Sequence, residues 1–351
     1  MKSISRPLLL IFSALIVSSP ALGDDPLDRA NPQMRAVLEQ LDFLGPKPIE
    51  ELAPRDARHQ PTAADAVLQL LQTQGVLAPD RLPAVGAVKT LAISGPDGDP
   101  LRLRVYTPPG HGPFPVVVYL HGGGWVIATL DTYDGSSRAI CSLTEAVVVS
   151  VDYRRAPEHP FPAAPEDSYA AFQYVVEHAS EFDGDASRVA IAGESAGGNL
   201  ATVVSLMAAA RQGHMPVHQA LIYPITNDAF DTESYEVNAD AKPLNRPMMQ
   251  YFFDHYLEDP ADGDNIFVSP LRATLDQLSE LPPTTIVTAE IDPLRDDGRS
   301  YADKLTSAGV PVRTKDYPGV THEFFGMGLV VDKALDAERF VAGELRAALS
   351  E

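Results

Sequence analysis

Cysteine is almost missing from this chain: Cys141 is the only one in 351 residues. No intramolecular disulfide can form, and no cysteine follows the N-terminal segment to carry a lipid. Cys141 itself reads as a small buried helix residue. Basic residues are scarce too, 27 Lys and Arg against 48 Asp and Glu, for a formal charge of −21. An acid surface of this kind repels phosphate backbones, which excludes nucleic acid and anionic membranes as partners and suits neutral or cationic small molecules. Solubility alone accounts for most of the acidity.

Long hydrophobic runs are also lacking. The one candidate, Leu8 to Val17, falls short of the roughly 20 residues that a spanning helix needs. With Lys2 and Arg6 before it and Ser18-Ser19-Pro20-Ala21-Leu22-Gly23 after it, the segment reads as a signal peptide cleaved after Gly23, so the mature chain is expected in the periplasm or the medium. Metal-binding patterns are missing as well. His322-Glu323-Phe324-Phe325-Gly326 lacks the second histidine of H-E-x-x-H, and no other His/Asp/Glu group has ligand spacing, so no metal is expected. The triplet Gly122-Gly123-Gly124 is not followed by Lys-Ser/Thr, which removes a P-loop.

What is present is the texture of a globular α/β protein, 45% hydrophobic. Residues 24–83 carry helical patterns, as in Met34 to Leu41 and Ala63 to Leu71, without a strand. Two alternating segments, Val88 to Ser94 and Leu101 to Tyr106, flank the turn cluster Gly95-Pro96-Asp97-Gly98-Asp99 and predict a hairpin. Short continuous apolar runs follow: Pro115 to Leu120, Ala146 to Val151, Val189 to Ala192, Gln219 to Tyr223, Thr284 to Ala289 and Val312 to Tyr317. Helical segments separate them, which predicts a parallel sheet covered on both faces. The connection from Tyr223 to Thr284 is much longer than the dozen or so residues a crossover needs, and it predicts an insertion. Residues of about 225–265, with the aromatic stretch Arg246 to Leu257, and residues 24–83 are expected to form a helical cap on a single domain, 24–351.

Gly193-Glu194-Ser195-Ala196-Gly197 lies between a buried strand and a helix, the setting of a nucleophile elbow. Glycines let the chain turn without a Cβ clash, and the sharp turn holds the serine hydroxyl out toward a base. Sheet topology selects the partners, because catalytic loops leave the carboxyl ends of parallel strands. His214 and His218 precede a strand and belong to the opposite edge, and His255 lies within the cap helix. His322 follows the last strand and is the general base; Asp292, just past Thr284 to Ala289, is the acid, with Asp296 in reserve and Glu290 and Asp297 as competitors. His121-Gly122-Gly123-Gly124-Trp125 follows a strand and offers unobstructed amides. Gly122 and Gly123, with the amide of Ala196, are the expected oxyanion donors. His121 braces that loop. Trp125, Met248, Met249, Tyr251, Phe252 and Phe253 are candidates to line a pocket.

These motifs, together with Asp152-Tyr153-Arg154-Arg155-Ala156-Pro157-Glu158 and Asp292-Pro293-Leu294, resemble the hormone-sensitive-lipase-like esterases, bacterial family IV. The resemblance covers nearly all of the chain after the leader. It implies an α/β-hydrolase fold with a mostly parallel eight-stranded sheet, flanking helices and a helical cap. It also implies a serine carboxylesterase for short- to medium-chain esters without a cofactor, a 152–158 motif that braces the active-site loops, and homodimerisation through the sheet edge. Glu194 departs from the aspartate common in one branch. The rival readings are a non-catalytic ligand-binding homologue and a serine peptidase or amidase on the same fold.

Overall fold

The computed structural model describes residues 26–75 and 83–350; the expected signal peptide, residues 1–23, lies outside them. Four helices come first: α1 (Pro26–Arg29), α2 (Pro32–Leu44), α3 (Pro54–Ala57) and α4 (Ala63–Thr73). Local chemistry starts the two longer ones. The Asn31 side chain accepts from the amides of Gln33 and Met34, and Thr62 with Asp65 forms a reciprocal capping box.

Strands β1 (Ala87–Ser94) and β2 (Pro100–Thr107) form the expected antiparallel hairpin. The rest alternates strand and helix: β3 (Phe114–Leu120), α5 (Asp134–Thr144), β4 (Val147–Asp152), α6 (Ala163–Glu177), β5 (Gly184–Glu194), α7 (Ala196–Arg211) and β6 (Gln219–Ile222). After the insertion, with α8 (Glu233–Val237), α9 (Arg246–Tyr256) and α10 (Leu275–Leu278), come β7 (Thr284–Ile291), α11 (Arg295–Ser307), β8 (Val312–Thr321) and α12 (Asp332–Leu349).

One eight-stranded sheet runs in the order β1-β2-β4-β3-β5-β6-β7-β8, parallel from β4 to β8. From β3 the chain crosses to β4 on one side and then returns to β5 on the other. That reversal opens a crevice at the carboxyl ends of β3 and β5, the usual place for a ligand in an open α/β sheet. Both faces are buried, so the strands alternate between two cores. Val116, Val118 and Leu120 join one, whereas Val117 and Tyr119 join the other.

The two pieces of the expected cap belong to different cores. Met34, Val37, Leu38 and Leu41 of α2 share a core with Tyr317, Val320 and Phe324. Met248, Met249, Phe252 and Phe253 of α9 share the other with Leu200, Leu221 and Trp125. Polar links join the pieces: Lys242 Nζ to Asp42 Oδ1 at 2.8 Å, Asn245 Nδ2 to Glu50 Oε1 at 3.0 Å and Arg29 Nη2 to Asn238 Oδ1 at 2.5 Å.

Candidate active site

Ser195 is the single residue between the end of β5 and the start of α7, with φ 57° and ψ −119°. A non-glycine residue held there is strained, and its neighbours sustain it. The Ser195 amide donates to Ile222 O at 2.9 Å, and Ser195 O accepts from Asn199 N at 3.0 Å. A Cβ at Gly193 would strike the Gly197 carbonyl, and one at Gly197 would strike that of Leu120. The elbow therefore closes only with glycine at both flanks.

His322 is the first residue past β8 and Asp292 the first past β7, so two adjacent parallel strands deliver them to one edge. His322 Nε2 lies 2.9 Å from Ser195 Oγ, and Nδ1 lies 2.7 Å from Asp292 Oδ2. A carboxylate on Nδ1 fixes the tautomer: Nδ1–H donates to Asp292, leaving Nε2 to accept from the serine hydroxyl. The other Asp292 oxygen accepts from Leu294 N at 2.8 Å, and its backbone carbonyl accepts from Asn238 Nδ2 at 3.0 Å. The competitors are occupied elsewhere. Asp296 accepts from Ser234 N and Arg295, Glu290 from Gly319 N, and Asp297 from Thr226 N. Among the other histidines, His218 pairs with Thr285 Oγ1 at the opposite edge, and His255 Nδ1 contacts Tyr251 O one turn back along α9.

Burial pulls the His322 pKa down, but the charge and hydrogen bond of Asp292, helped by Glu323 and Glu194, outweigh it and leave the pKa raised. His121 has no such partner. Burial lowers its pKa to about 4, its ring stacks on Tyr153 at 4.3 Å, and Nδ1 contacts Gly122 O at 2.8 Å. It is a neutral brace within the loop.

Gly123 and Gly124 line the cavity that holds Ser195 and His322; Gly122 does not. A Cβ added at Gly122 would strike the Tyr133 hydroxyl and crowd the Glu194 carbonyl, so that side of Gly122 is packed. The two loop glycines that line the cavity thus stand one residue further on than the expected pair, with φ of 99° at Gly123 and 57° at Gly124. Trp125, completely buried, stacks on Tyr256 at 4.2 Å and meets Phe253 edge-on. It packs under the loop and lines no part of that cavity.

The cavity holds about 270 Å³ between the strand ends and both cap pieces. Of the residues expected to line it, Met248 and Phe252 do so; Met249, Tyr251 and Phe253 are turned away from it. Leu41, Ile49, Ile127 and Leu244 add apolar wall, and Asp42 and Lys242 add a charged pair.

Glu194 proves to be the hub of a buried network that no sequence spacing marks. Its two oxygens accept from the hydroxyls of Tyr119 on β3 and Tyr223 just past β6. The Tyr223 ring lies 4.5 Å from that of His322. Burial raises the Glu194 pKa to about 7 against the pull of Ser136, Tyr119 and Tyr223. The residue before the serine thus ties the elbow to the ring beside the histidine.

Comparison with known proteins agrees with this architecture. A family profile described as an alpha/beta hydrolase fold matches residues 117–326. Carboxylesterase NlhH of Mycobacterium tuberculosis is 45% identical over 239 residues, 68% of this chain and 75% of its own length. An ethyl acetate hydrolase of Pseudomonas putida is 33% identical over 77% of this chain and 86% of its own. The crystal structure of a thermostable esterase from Pseudomonas putida ECU1011 superposes with a TM-score of 0.82 at 37% identity, covering 95% of this chain and 99% of that one. An esterase from Pyrobaculum calidifontis gives 0.80 at 35% identity, covering 91% and 98%. The chain belongs to the hormone-sensitive-lipase-like esterases of the α/β-hydrolase family.

Proposed function

We propose that in this carboxylic ester hydrolase Ser195 is the nucleophile, His322 the general base and Asp292 the group that orients His322, with the amides of Gly123, Gly124 and Ala196 receiving the oxyanion. The observation that carries the reading is the line of contacts from Ser195 Oγ through His322 to Asp292, at 2.9 and 2.7 Å. Ser195 Oγ attacks the ester carbonyl as His322 Nε2 takes its proton, and Asp292 balances the imidazolium. Charge gathers on the carbonyl oxygen, where each amide donor is worth about 3 kcal/mol. Collapse expels the alcohol with the proton from His322 and leaves an acyl-serine. Water then attacks, gives its proton to His322, and the acid leaves as Ser195 recovers its own.

The substrate class is a short- to medium-chain ester. A mostly apolar cavity of about 270 Å³ supports small substrates, and so do the activities of the relatives, a carboxylesterase and an ethyl acetate hydrolase. The test is an assay with p-nitrophenyl esters of increasing acyl length, beside the matching p-nitroanilides, for wild type and Ser195→Ala. The expected result is turnover of short and medium esters, amide cleavage slower by orders of magnitude, and loss of about 10⁴-fold or more in kcat for the variant. A folded wild type without turnover would identify a binding protein; anilide rates equal to ester rates would identify an amidase.

A further inference from the structure

We propose that Arg58 is a positioning residue for the oxyanion loop, through which docking of the N-terminal helices sets the amide of Gly124. The inference rests on the reading above, in which that amide receives the developing charge.

Arg58 follows α3 directly and lies 68 residues before its contact in the loop. Its guanidinium is mostly buried and makes four bonds across the boundary between the N-terminal region and the sheet domain. Nε donates to Val126 O at 2.8 Å, Nη2 to Ala156 O at 2.8 Å, and Nη1 and Nη2 grip Glu158 at 2.8 and 2.6 Å. The planar fork makes these four bonds from three nitrogens at once, whereas a lysine has only three donors on a single nitrogen.

The loop hangs by its carbonyls. Tyr153 Oη donates to His121 O at 2.8 Å, Ala156 N to Trp125 O at 2.9 Å, and Arg155 to Ala128 O. Those three donors all come from residues 153–156. The carbonyl between them, Val126 O, is held from outside that segment, by Arg58.

That carbonyl is also one of two connected to the site through Gly123 O; the other is that of Trp125, whose peptide partner Val126 N donates to Gly123 O at 3.0 Å. A peptide unit is planar, so the Val126 carbonyl and the Ile127 N–H move as one body, pointing in opposite directions. Ile127 N donates to Gly123 O at 2.9 Å. The Gly123 carbonyl in turn shares its plane with the Gly124 N–H, which donates to no protein acceptor among the described residues. Arg58, the Val126–Ile127 peptide and the Gly123–Gly124 peptide therefore form a line of aligned donors and acceptors ending at the cavity wall. A cation at its head orients both peptide planes and polarises the last N–H, because hydrogen-bonded dipoles in a low-dielectric interior reinforce one another. The N-terminal helices, in this view, complete the oxyanion hole as well as covering it.

The test compares wild type, Arg58→Lys, Arg58→Met and Arg58→Ala on p-nitrophenyl acetate, each rate divided by the sites counted in an active-site titration. Expected are a fall in kcat of about ten- to a hundredfold for Arg58→Met with KM within about twofold, an intermediate value for Arg58→Lys, and partial recovery of Arg58→Ala by added methylguanidinium. Affinity for a trifluoromethyl ketone, whose adduct carries the oxyanion, is expected to fall in step with kcat/KM. Counting titrated sites separates this outcome from partial unfolding, which lowers the number of sites and leaves the rate of each unchanged. If each titrated site of Arg58→Met turns over at the wild-type rate, the inference fails while the proposed function stands. If wild type has no turnover that Ser195→Ala removes, the function fails and takes this inference with it.

Discussion

The floor of the cavity, at the carboxyl ends of β3, β5, β7 and β8, and its roof, from residues 41–63 and 241–252, are held by different forces. Each reacting group of the floor is tied by at least two short polar contacts to backbone or side chain: Ser195 by Ile222 O and His322, His322 by Ser195 and Asp292, Asp292 by His322 and Leu294 N. The roof is mostly apolar surface from two separate cores, joined by a few links such as the half-exposed Lys242–Asp42 pair. Exposed pairs of that kind contribute about 1 kcal/mol or less. A rigid floor with a weakly tied roof separates chemistry from selection: substitutions in the floor should change kcat, and substitutions in the roof, Arg58 with its four bonds to the sheet domain apart, should change which ester fits.

The largest break in the floor short of removing the nucleophile is Asp292→Asn. An amide presents N–H or a weaker acceptor to Nδ1, so the tautomer that leaves Nε2 free is no longer favoured. A loss of about 10⁴-fold in kcat follows by analogy with serine proteases. The same substitution should move the pH profile. The raised pKa of His322 means that the base is neutral only above a value higher than the ordinary 6.5, so wild-type kcat/KM declines on the acid side beginning above that value. Without the carboxylate, burial dominates and the acid limb shifts downward. A limb that stays in place in Asp292→Asn would assign the titration to another group, with Glu194 the first to examine.

Gly124→Ala should come next, because it breaks the floor where the roof touches it. The added Cβ would run into the Phe252 ring, and φ of 57° disfavours alanine. Displacing one oxyanion donor lowers kcat by about 10²- to 10³-fold. Adding Phe252→Ala in the same chain removes the clash and should recover part of that loss. No recovery in the double variant would place the whole effect in the backbone.

The floor was legible in the sequence because it follows from short-range rules. A serine between glycines after a buried strand, and an acid and a histidine each just past a strand, reach one edge of a parallel sheet by topology alone. Four kinds of fact were not legible. That Gly123 and Gly124 line the cavity and Gly122 does not goes with two positive φ values that a run of glycines permits without specifying. The cap aromatics carry no facing in their composition: Tyr251, Phe252 and Phe253 are successive, so at about 100° per residue only Phe252 turns to the cavity. Helix α5, which opens Asp-Gly-Ser-Ser-Arg, shows itself in the sequence mainly through Cys141, since its buried stripe of Ala139, Ile140 and Cys141 is short. The partners of Arg58 and Glu194 lie about 30 to 100 residues away, and no local pattern announces them.

The smallest expected effect sharpens the comparison most. Phe252 is nearly buried, yet its ring forms part of the cavity wall above Gly124. Phe252→Ala removes that wall without touching a hydrogen bond of the floor. Short esters lose contact, and their KM should rise by roughly tenfold, in line with the modest value of apolar pocket contacts. The enlarged cavity should shift the preferred p-nitrophenyl ester to a longer acyl chain, while kcat on the best substrate stays within about twofold of wild type. A chain-length series of kcat and KM for both proteins reads the two effects separately. Should kcat fall for every chain length alike, Phe252 would be holding Gly124 in place, and the roof on the α9 side would share in the chemistry as Arg58 does on the other.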